Sequence, residues 1–472
     1  MLAALKSFAG IGNDQQQDIE NNPEQMQKQD ENANNAKIKL LGEGSYGCVF
    51  RPGIECSHKQ LTTKKYITKI QKYKETSKHE VEIGKKVKRI AGYSQYYAPI
   101  IETCDVTIST LGNEKELKKC DFIKTAPEFS DKQYESNRVM YVGKNIISEY
   151  LIKETAKVSQ VENYFRKMIN MHMMLLNGIT KLNEANIMHF DMKENNVMCR
   201  DKSGRPIIID FGLSVDTTNM ASPEFPAADT FFSYGVTYAP WCLDIGLITY
   251  MIHKTQNATI EQPVVNAWRN KNATINETTA VITEFLTKNP SILNLFTPEE
   301  IEKYKTELEA YYKPFIEGGM LNMPTWGNVY DELVKYHKSW DNYSVAVMFL
   351  NILHLLDVQK MKANELPFMK VYVDTLKKIV LSMPDKRPTA KDTMEELTRT
   401  MRTVQRKDKA TIGKLFKPDF ENAEKYKQRS RRVNESIHLS IKTDDYLLVH
   451  KQQMMNKIKK KLQQSKKEIT TK

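Results

Sequence analysis

HFDMKENNVMCRDKSGRPIIIDFG, residues 189–212, sets polar and charged side chains at both ends of a short hairpin. NVMCRD (196–201) and PIIIDFG (206–212) read as two short strands, and Lys202-Ser203-Gly204 as the turn that joins them. Closing that hairpin brings Asn196 beside Asp210. His189, Asp191 and Lys193 lie just ahead of its first strand.

The spacing suits phosphoryl transfer. Asp191 is placed to orient an attacking hydroxyl and accept its proton, and Lys193 to neutralise charge on the moving phosphoryl group. Asn196 and Asp210 supply oxygen ligands that would hold Mg²⁺ against phosphates. Upstream, Gly42-Glu43-Gly44-Ser45-Tyr46-Gly47-Cys48-Val49 fits G-x-G-x-x-G-x-V. Glycines let backbone N–H groups approach phosphates closely. A dinucleotide-binding fold uses the same string to open a helix. Here Cys48-Val49-Phe50-Arg51 continues as a strand, so the glycines form the lid of a hairpin.

Outward from these segments, residues 1–36 are rich in Gln, Asn, Asp and Glu and are expected to be disordered. IKLLGEGSYGCVFR (38–51) and KKYITKIQKY (64–73) read as three strands, TSKHEVEIGKKVKRI (76–90) as a helix, and PIIETCDVTI (99–108) and KNIISEYL (144–151) as further strands. Residues 111–138 are charged and irregular and read as an insertion or long loop. NYFRKMINMHMMLLNGITKLNEAN (163–186) has helical spacing, its methionines serving as core. The rest, to about residue 405, reads as helices and loops. Thr297-Pro298-Glu299-Glu300 marks one helix start.

The chain has 472 residues and six cysteines, scattered without a C-x-x-C pair and expected as free thiols in a reducing, cytoplasmic compartment. Cys56 and His58 lack a second ligand pair, which disfavours zinc. No apolar run is long enough to span a bilayer. The net charge of +12 lies entirely in residues 401–472, with 20 basic against 8 acidic side chains, so the body is neutral. Within that tail, VHKQQMMNKIKKKLQQSKK (449–467) can form a cationic helix. It would dock an acidic protein, nucleic acid or anionic membrane, or simply aid solubility.

Together the motifs resemble the eukaryotic-type protein kinase family over about residues 37–405. The resemblance implies an α+β, two-lobed fold: a small β-rich N-lobe (37–151) and a large helical C-lobe (152–405), followed by the basic tail (406–472). It implies ATP and Mg²⁺ as cofactors and protein substrates. Gly42, Glu43, Gly44, Ser45, Tyr46, Gly47 and Val49 match the nucleotide lid. Lys69 matches the strand lysine that holds the α- and β-phosphates, with Lys72 as alternative. Glu80 matches its helix partner, with Glu82 as alternative. The hinge falls near Glu149-Tyr150-Leu151, so Glu149 and Leu151 would contact the base. Lys193 is similar to the serine/threonine pattern rather than the tyrosine one. A pseudokinase scaffold is the alternative function, and retention of Lys69, Asp191, Asn196 and Asp210 argues against it.

Later landmarks are looser. Trp340-Asp341-Asn342-Tyr343-Ser344 resembles the family's buried Asp helix, and Arg387-Pro388-Thr389 its late Arg-Pro segment. Tyr238-Ala239-Pro240-Trp241 resembles the end of the activation segment, with Trp241 where the family has Glu. Ser233 and Thr237 are candidates for that segment's threonine. Residues 251–339 form a helical insertion. Trp241-Cys242-Leu243-Asp244, the insertion and Asp341-Asn342-Tyr343-Ser344 together resemble kinases of large nucleocytoplasmic DNA viruses. That implies expression in a host cytoplasm, with packaging in the virion a further expectation. Phe190 replaces the arginine that pairs with activation-loop phosphate in many relatives, which predicts activity without loop phosphorylation.

Overall fold

Lys39–Gly44 pairs antiparallel with Gly47–Arg51, and the first sheet grows from that pair. The computed structural model describes residues 38–407, apart from 45–46, 55, 57–61, 64, 72–73, 112–113, 126–132, 156–160, 256–265, 318–323 and 357–365. The expectations for residues 1–36, for the tail beyond 407 and for Ser45, Tyr46, His58 and Lys72 lie outside the described residues. The chain divides into two compact units, one of residues 38–221 and 333–407 and the other of residues 222–332.

In the first unit, β1 (Lys39–Gly44), β2 (Gly47–Arg51), β3 (Tyr66–Gln71), β4 (Ile100–Thr107) and β5 (Gln133–Met140) form one antiparallel sheet in the order β1-β2-β3-β5-β4. Helix α1 (Lys74–Lys88) joins β3 to β4 in sequence. One core cluster joins Cys48, Phe50 and Ile70 of the sheet to Leu117, Cys120 and Ile123 of short helices between β4 and β5. A second gathers Ile67, Val81, Ile100, Val139 and Ile207.

Three sequence expectations change here. Residues 111–138 do not form one long loop: Gln133–Met140 is strand β5. Its QYESNRVM pattern hides because polar side chains on both of its faces take partners. Asn137 Nδ2 donates to Ser77 Oγ at 2.6 Å, and the Arg138 guanidinium meets Glu102 at 3.1 Å. KNIISEYL is a strand only at Asn145–Ile146, after which helix α2 (Ile147–Thr155) begins and buries Ile147 and Leu151. The cysteines are not all free thiols. Cys48 pairs with Cys120 and Cys56 with Cys104, their Cα atoms 6.1 and 5.7 Å apart, within disulfide range. Pairs separated by 72 and 48 residues leave no mark in local spacing. Cys199 and Cys242 are buried and take part in neither of these disulfides.

The helical part of this unit is centred on α3 (Val161–Glu184), whose Met168, Met171 and Met173 are buried as expected of core residues. After it come β6 (Ile187–Met188), β7 (Val197–Cys199), β8 (Pro206–Ile208) and β9 (Val215–Asp216). β7 pairs with β8 and β6 with β9, both antiparallel, as the hairpin reading requires.

In the second unit, α4 (Leu243–His253), α5 (Ile275–Lys288) and α6 (Pro298–Glu317) build a core around Trp268, Phe285, Tyr312 and Trp326. Thr297 and Glu300 form the expected capping box: Glu300 N–H donates to Thr297 Oγ1 at 3.3 Å, and Thr297 N–H to Glu300 Oε2 at 2.9 Å. Back in the first unit, α7 (Trp340–Leu355) is apolar on all sides, packs against α3 and α8 (Pro367–Val380), and is followed by α9 (Ala390–Lys407). Among the described residues no helix is long and apolar enough to cross a membrane.

Candidate active site

Strand pairing sets the lid. Val49 lies opposite Lys69 across the β2–β3 ladder, and Gly42 opposite Val49 across β1–β2, so the three share one face. Glu43 and Cys48 are the next pair and point the other way. The Glu43 carboxylate accepts the Asp121 backbone N–H at 3.0 and 3.2 Å. This corrects the expected nucleotide role of Glu43: strand alternation aims it at the 108–124 segment instead. Gly42 has open space where a Cβ would stand, whereas a Cβ at Gly47 would lie 2.2 Å from the Ile70 carbonyl oxygen. Gly42 can therefore admit a phosphate, while Gly47 is required by the backbone beneath it.

Lys69 closes the centre. Its Nζ lies 3.0 Å from Glu80 Oε2 and 3.1 Å from Asp210 Oδ1. Glu82 is exposed and meets Lys85 at 3.7 Å, while Lys69 takes Glu80, so the alternative register is not adopted. Gln71, two residues past Lys69 on the same face, donates from Nε2 to Glu80 Oε2 at 2.8 Å. Nothing in the sequence singled out Gln71, whose role depends on where α1 packs. Burial works against the Lys69 ammonium, but Asp210 and Glu80 outweigh it and hold its pKa above the ordinary lysine value. Burial lifts Glu80, opposed by Lys69 and Gln71. Burial also opposes ionised Asp210, yet the charge of Lys69, its hydrogen bond and the charge of Lys193 hold that carboxyl below the usual range.

The catalytic loop is held from behind. Both Asp341 carboxylate oxygens accept buried backbone N–H groups, Oδ2 from His189 at 2.7 Å and Oδ1 from Phe190 at 2.8 Å. Phe190 is thereby kept in the left-handed region at φ 67°, an uncommon state for a bulky residue. Asp191, turned to the front, meets Lys193 Nζ at 3.0 Å and accepts from Asn196 Nδ2 at 2.8 Å, both at Oδ2. The Asn196 carbonyl accepts from Ile209 N–H at 3.0 Å, which sets Asn196 beside Asp210 as the hairpin reading anticipates. Asp210 also has a left-handed φ, 61°. His189 Nε2 lies 3.0 Å from the Ile209 carbonyl and its ring packs edge-on to Phe211 at 5.2 Å.

Mg²⁺ fits this donor set. Asn196 and Asp210 present hard oxygen ligands, and Lys69 and the Gly212 N–H both engage Oδ1 of Asp210, leaving Oδ2 for a cation. The expected hinge at Glu149-Tyr150-Leu151 is not a connector. Glu149 and Leu151 lie within helix α2 rather than in an extended connector, and Leu151 is buried. The non-helical connector after β5 is residues 141–144.

Tyr238-Ala239-Pro240-Trp241 lies in the second unit. Trp241 is buried against Tyr238, ring centroids 5.1 Å apart, and over Gly235, where a Cβ would clash with its ring. Side chains at 289 and 291 hold this stretch by its carbonyls. Asn289 Nδ2 donates to Val236 O at 3.0 Å, and Ser291 Oγ to Ala239 O at 2.8 Å. Ser233 is buried and Thr237 exposed. Arg387, in the first unit, stacks its guanidinium over Tyr343 at 5.5 Å.

Comparison with known proteins agrees with this geometry. The family model described as protein kinase domain matches residues 36–240. Mouse myosin light chain kinase family member 4 is 23% identical over 226 residues, which are 46% of this chain and 49% of that protein. Zebrafish myosin light chain kinase 3 is 24% identical over 156 residues, 31% of this chain and 21% of that one. Its human counterpart is 32% identical over 83 residues, 16% and 10%. The chain spans less than half the length of each of these relatives. Fold and matched domain together identify the architecture as the α+β protein kinase fold, an antiparallel small-lobe sheet followed by a mostly helical remainder.

Proposed function

We propose that this chain is an active serine/threonine protein kinase, transferring the γ-phosphate of ATP to a protein hydroxyl. One observation carries the reading: Lys69 bridges Glu80 and Asp210, while Asp191 is held by Lys193 and Asn196. Val49 and the open face at Gly42 cover the nucleotide, and Lys69 positions its α- and β-phosphates. Asp191 aligns the substrate hydroxyl and takes its proton as the oxygen attacks, with Lys193 beside it to offset charge on the phosphoryl group. Asn196 and Asp210 would hold Mg²⁺, which would offset charge on the phosphates.

The enzyme works without phosphate on its activation segment. Phe190 fills the place of the phosphate-binding arginine and is buried. Helix α1 meets the strand after Asp210 directly: His79 Nε2 lies 2.7 Å from the Ser214 carbonyl, and Lys86 forms an ion pair with Asp216. The similarity of Trp241-Cys242-Leu243-Asp244 and the long insertion to kinases of large nucleocytoplasmic DNA viruses supports a role in an infected host's cytoplasm or in the virion.

Incubating the protein with Mg²⁺, labelled ATP and basic and acidic protein substrates tests the reading, with Asp191→Asn as control. Transfer above that control, recovered as phosphoserine or phosphothreonine, is expected. Transfer no greater than the control would support the scaffold alternative, and phosphotyrosine would refute the specificity. Phosphatase pretreatment should leave the rate unchanged.

A further inference from the structure

The 108–124 segment grips the glycine-rich hairpin at one cross-strand pair. Glu43 of β1 and Cys48 of β2 face each other in register, one step before the pair Gly44 and Gly47 that ends the ladder at the turn. Two consecutive residues of the segment take hold of them: Cys120 is bonded to Cys48 through sulfur, and the Asp121 N–H donates to the Glu43 carboxylate. Leu117, Cys120 and Ile123 are buried in the same cluster as Cys48, Phe50 and Ile70, so the segment is packed on the sheet rather than tethered loosely to it. On the opposite face of the same hairpin, Val49 lies across from Lys69.

We propose that Cys48 and Cys120 are a redox modification site whose disulfide fixes the height of the nucleotide lid. Reduction leaves the hairpin held by packing and the Glu43 hydrogen bonds; oxidation adds a covalent clip one residue from Gly47. In forming the bond, both thiols lose their hydrogens to an oxidant of the small-molecule disulfide class, glutathione disulfide for example, which leaves as two thiols. A lid whose height the clip restricts has less freedom to lose when nucleotide enters, so the oxidised form binds ATP more tightly. The clip also excludes a metal from this cluster. The sulfurs and the Glu43 carboxylate are near enough to ligate one, but linked sulfurs offer no thiolate.

The proposal rests on nucleotide binding at this site, so its test measures binding directly, without phosphotransfer. Full-length protein is equilibrated in oxidised or reduced glutathione buffer and titrated with a fluorescent ATP analogue. Mass spectrometry of the alkylated protein reports the thiol state. Cys56→Ser/Cys104→Ser removes the other disulfide and isolates this one. In that variant, reduction should weaken nucleotide binding about tenfold. Cys48→Ser/Cys120→Ser should bind weakly in both buffers. If that variant does not fold, Cys120→Ser with Cys48 kept, checked by its melting temperature, takes its place. Equal affinity in the two buffers would overturn the proposal. So would free Cys48 and Cys120 in the oxidised protein, or stoichiometric zinc held by both thiols. Absence of nucleotide binding in every form would instead count against the kinase reading itself.

Discussion

The catalytic hairpin, residues 187–216, and the following stretch, residues 222–241, are adjacent in sequence but positioned differently. Within the hairpin, most contacts that aim a functional group are local: Asn196 to Asp191, Lys193 to Asp191, Ile209 to Asn196. The later stretch is held mainly by side chains from the insertion tens of residues downstream. Asn289 takes the carbonyl of Val236, Ser291 that of Ala239, and Glu284 the hydroxyl of Tyr234 at 2.8 Å. Chemistry that must be right to a fraction of an ångström is encoded compactly, while the neighbouring segment borrows a scaffold.

Breaking the first region should have the largest effect. Asp191→Asn removes the proton acceptor but keeps its shape, so phosphotransfer should fall by roughly 10²–10⁴-fold in a labelled-ATP assay with ATP binding retained. Next is a distant prop of that region. Asp341→Ala orphans two buried N–H donors, at about 1–3 kcal/mol each, and urea unfolding should show the first unit weakened by that sum.

The converse change sharpens the contrast. Asn289→Ala, which strips a fully buried side chain from the insertion, should destabilise by about 1–3 kcal/mol in thermal melts, while the KM for ATP stays put. Peptide KM moving alone would confirm that the borrowed scaffold serves the protein substrate, and an ATP KM that rises with it would break the comparison.

Acid gives a graded test. His172, wholly buried on α3 with its ring against Phe349 and Tyr372, has its pKa lowered by desolvation to about 3. Below the unfolded value near 6.5 the unfolded chain binds a proton that the folded one refuses. The stability conferred by neutral His172 is therefore full above about pH 6.5 and is lost as pH falls toward 3. His172→Gln should flatten that slope in melts recorded from pH 4 to 7. Smallest is Gln71→Leu, which costs Glu80 one hydrogen bond, about 1 kcal/mol, and should lower kcat several-fold with little change in folding.

Legibility in the sequence followed the range of the contacts. The β7–β8 hairpin and the Thr297 cap were readable because each is a short string with a mechanical reason, whereas Asp341 came from resemblance to the family's Asp helix. Strand β5 was not, because it buries Ser136 and Asn137 and its polar pairs break the apolar alternation. The hinge slipped by about seven residues for a related reason: Ile147 and Leu151, read as strand residues, are equally spaced for the buried face of a helix.

By itself, the sequence determined the placement of Asp191, Lys193, Asn196 and Asp210 within one hairpin, where chain connectivity enforces proximity whatever else the protein does. Only the tertiary structure decided the rest. It chose Glu80 over Glu82 through the rotation of α1, added Gln71, turned Glu43 away from the nucleotide, and joined Cys48 to Cys120. Each depends on which faces of separate elements meet, and burial of apolar surface across the whole sheet, not any local pattern, makes that choice.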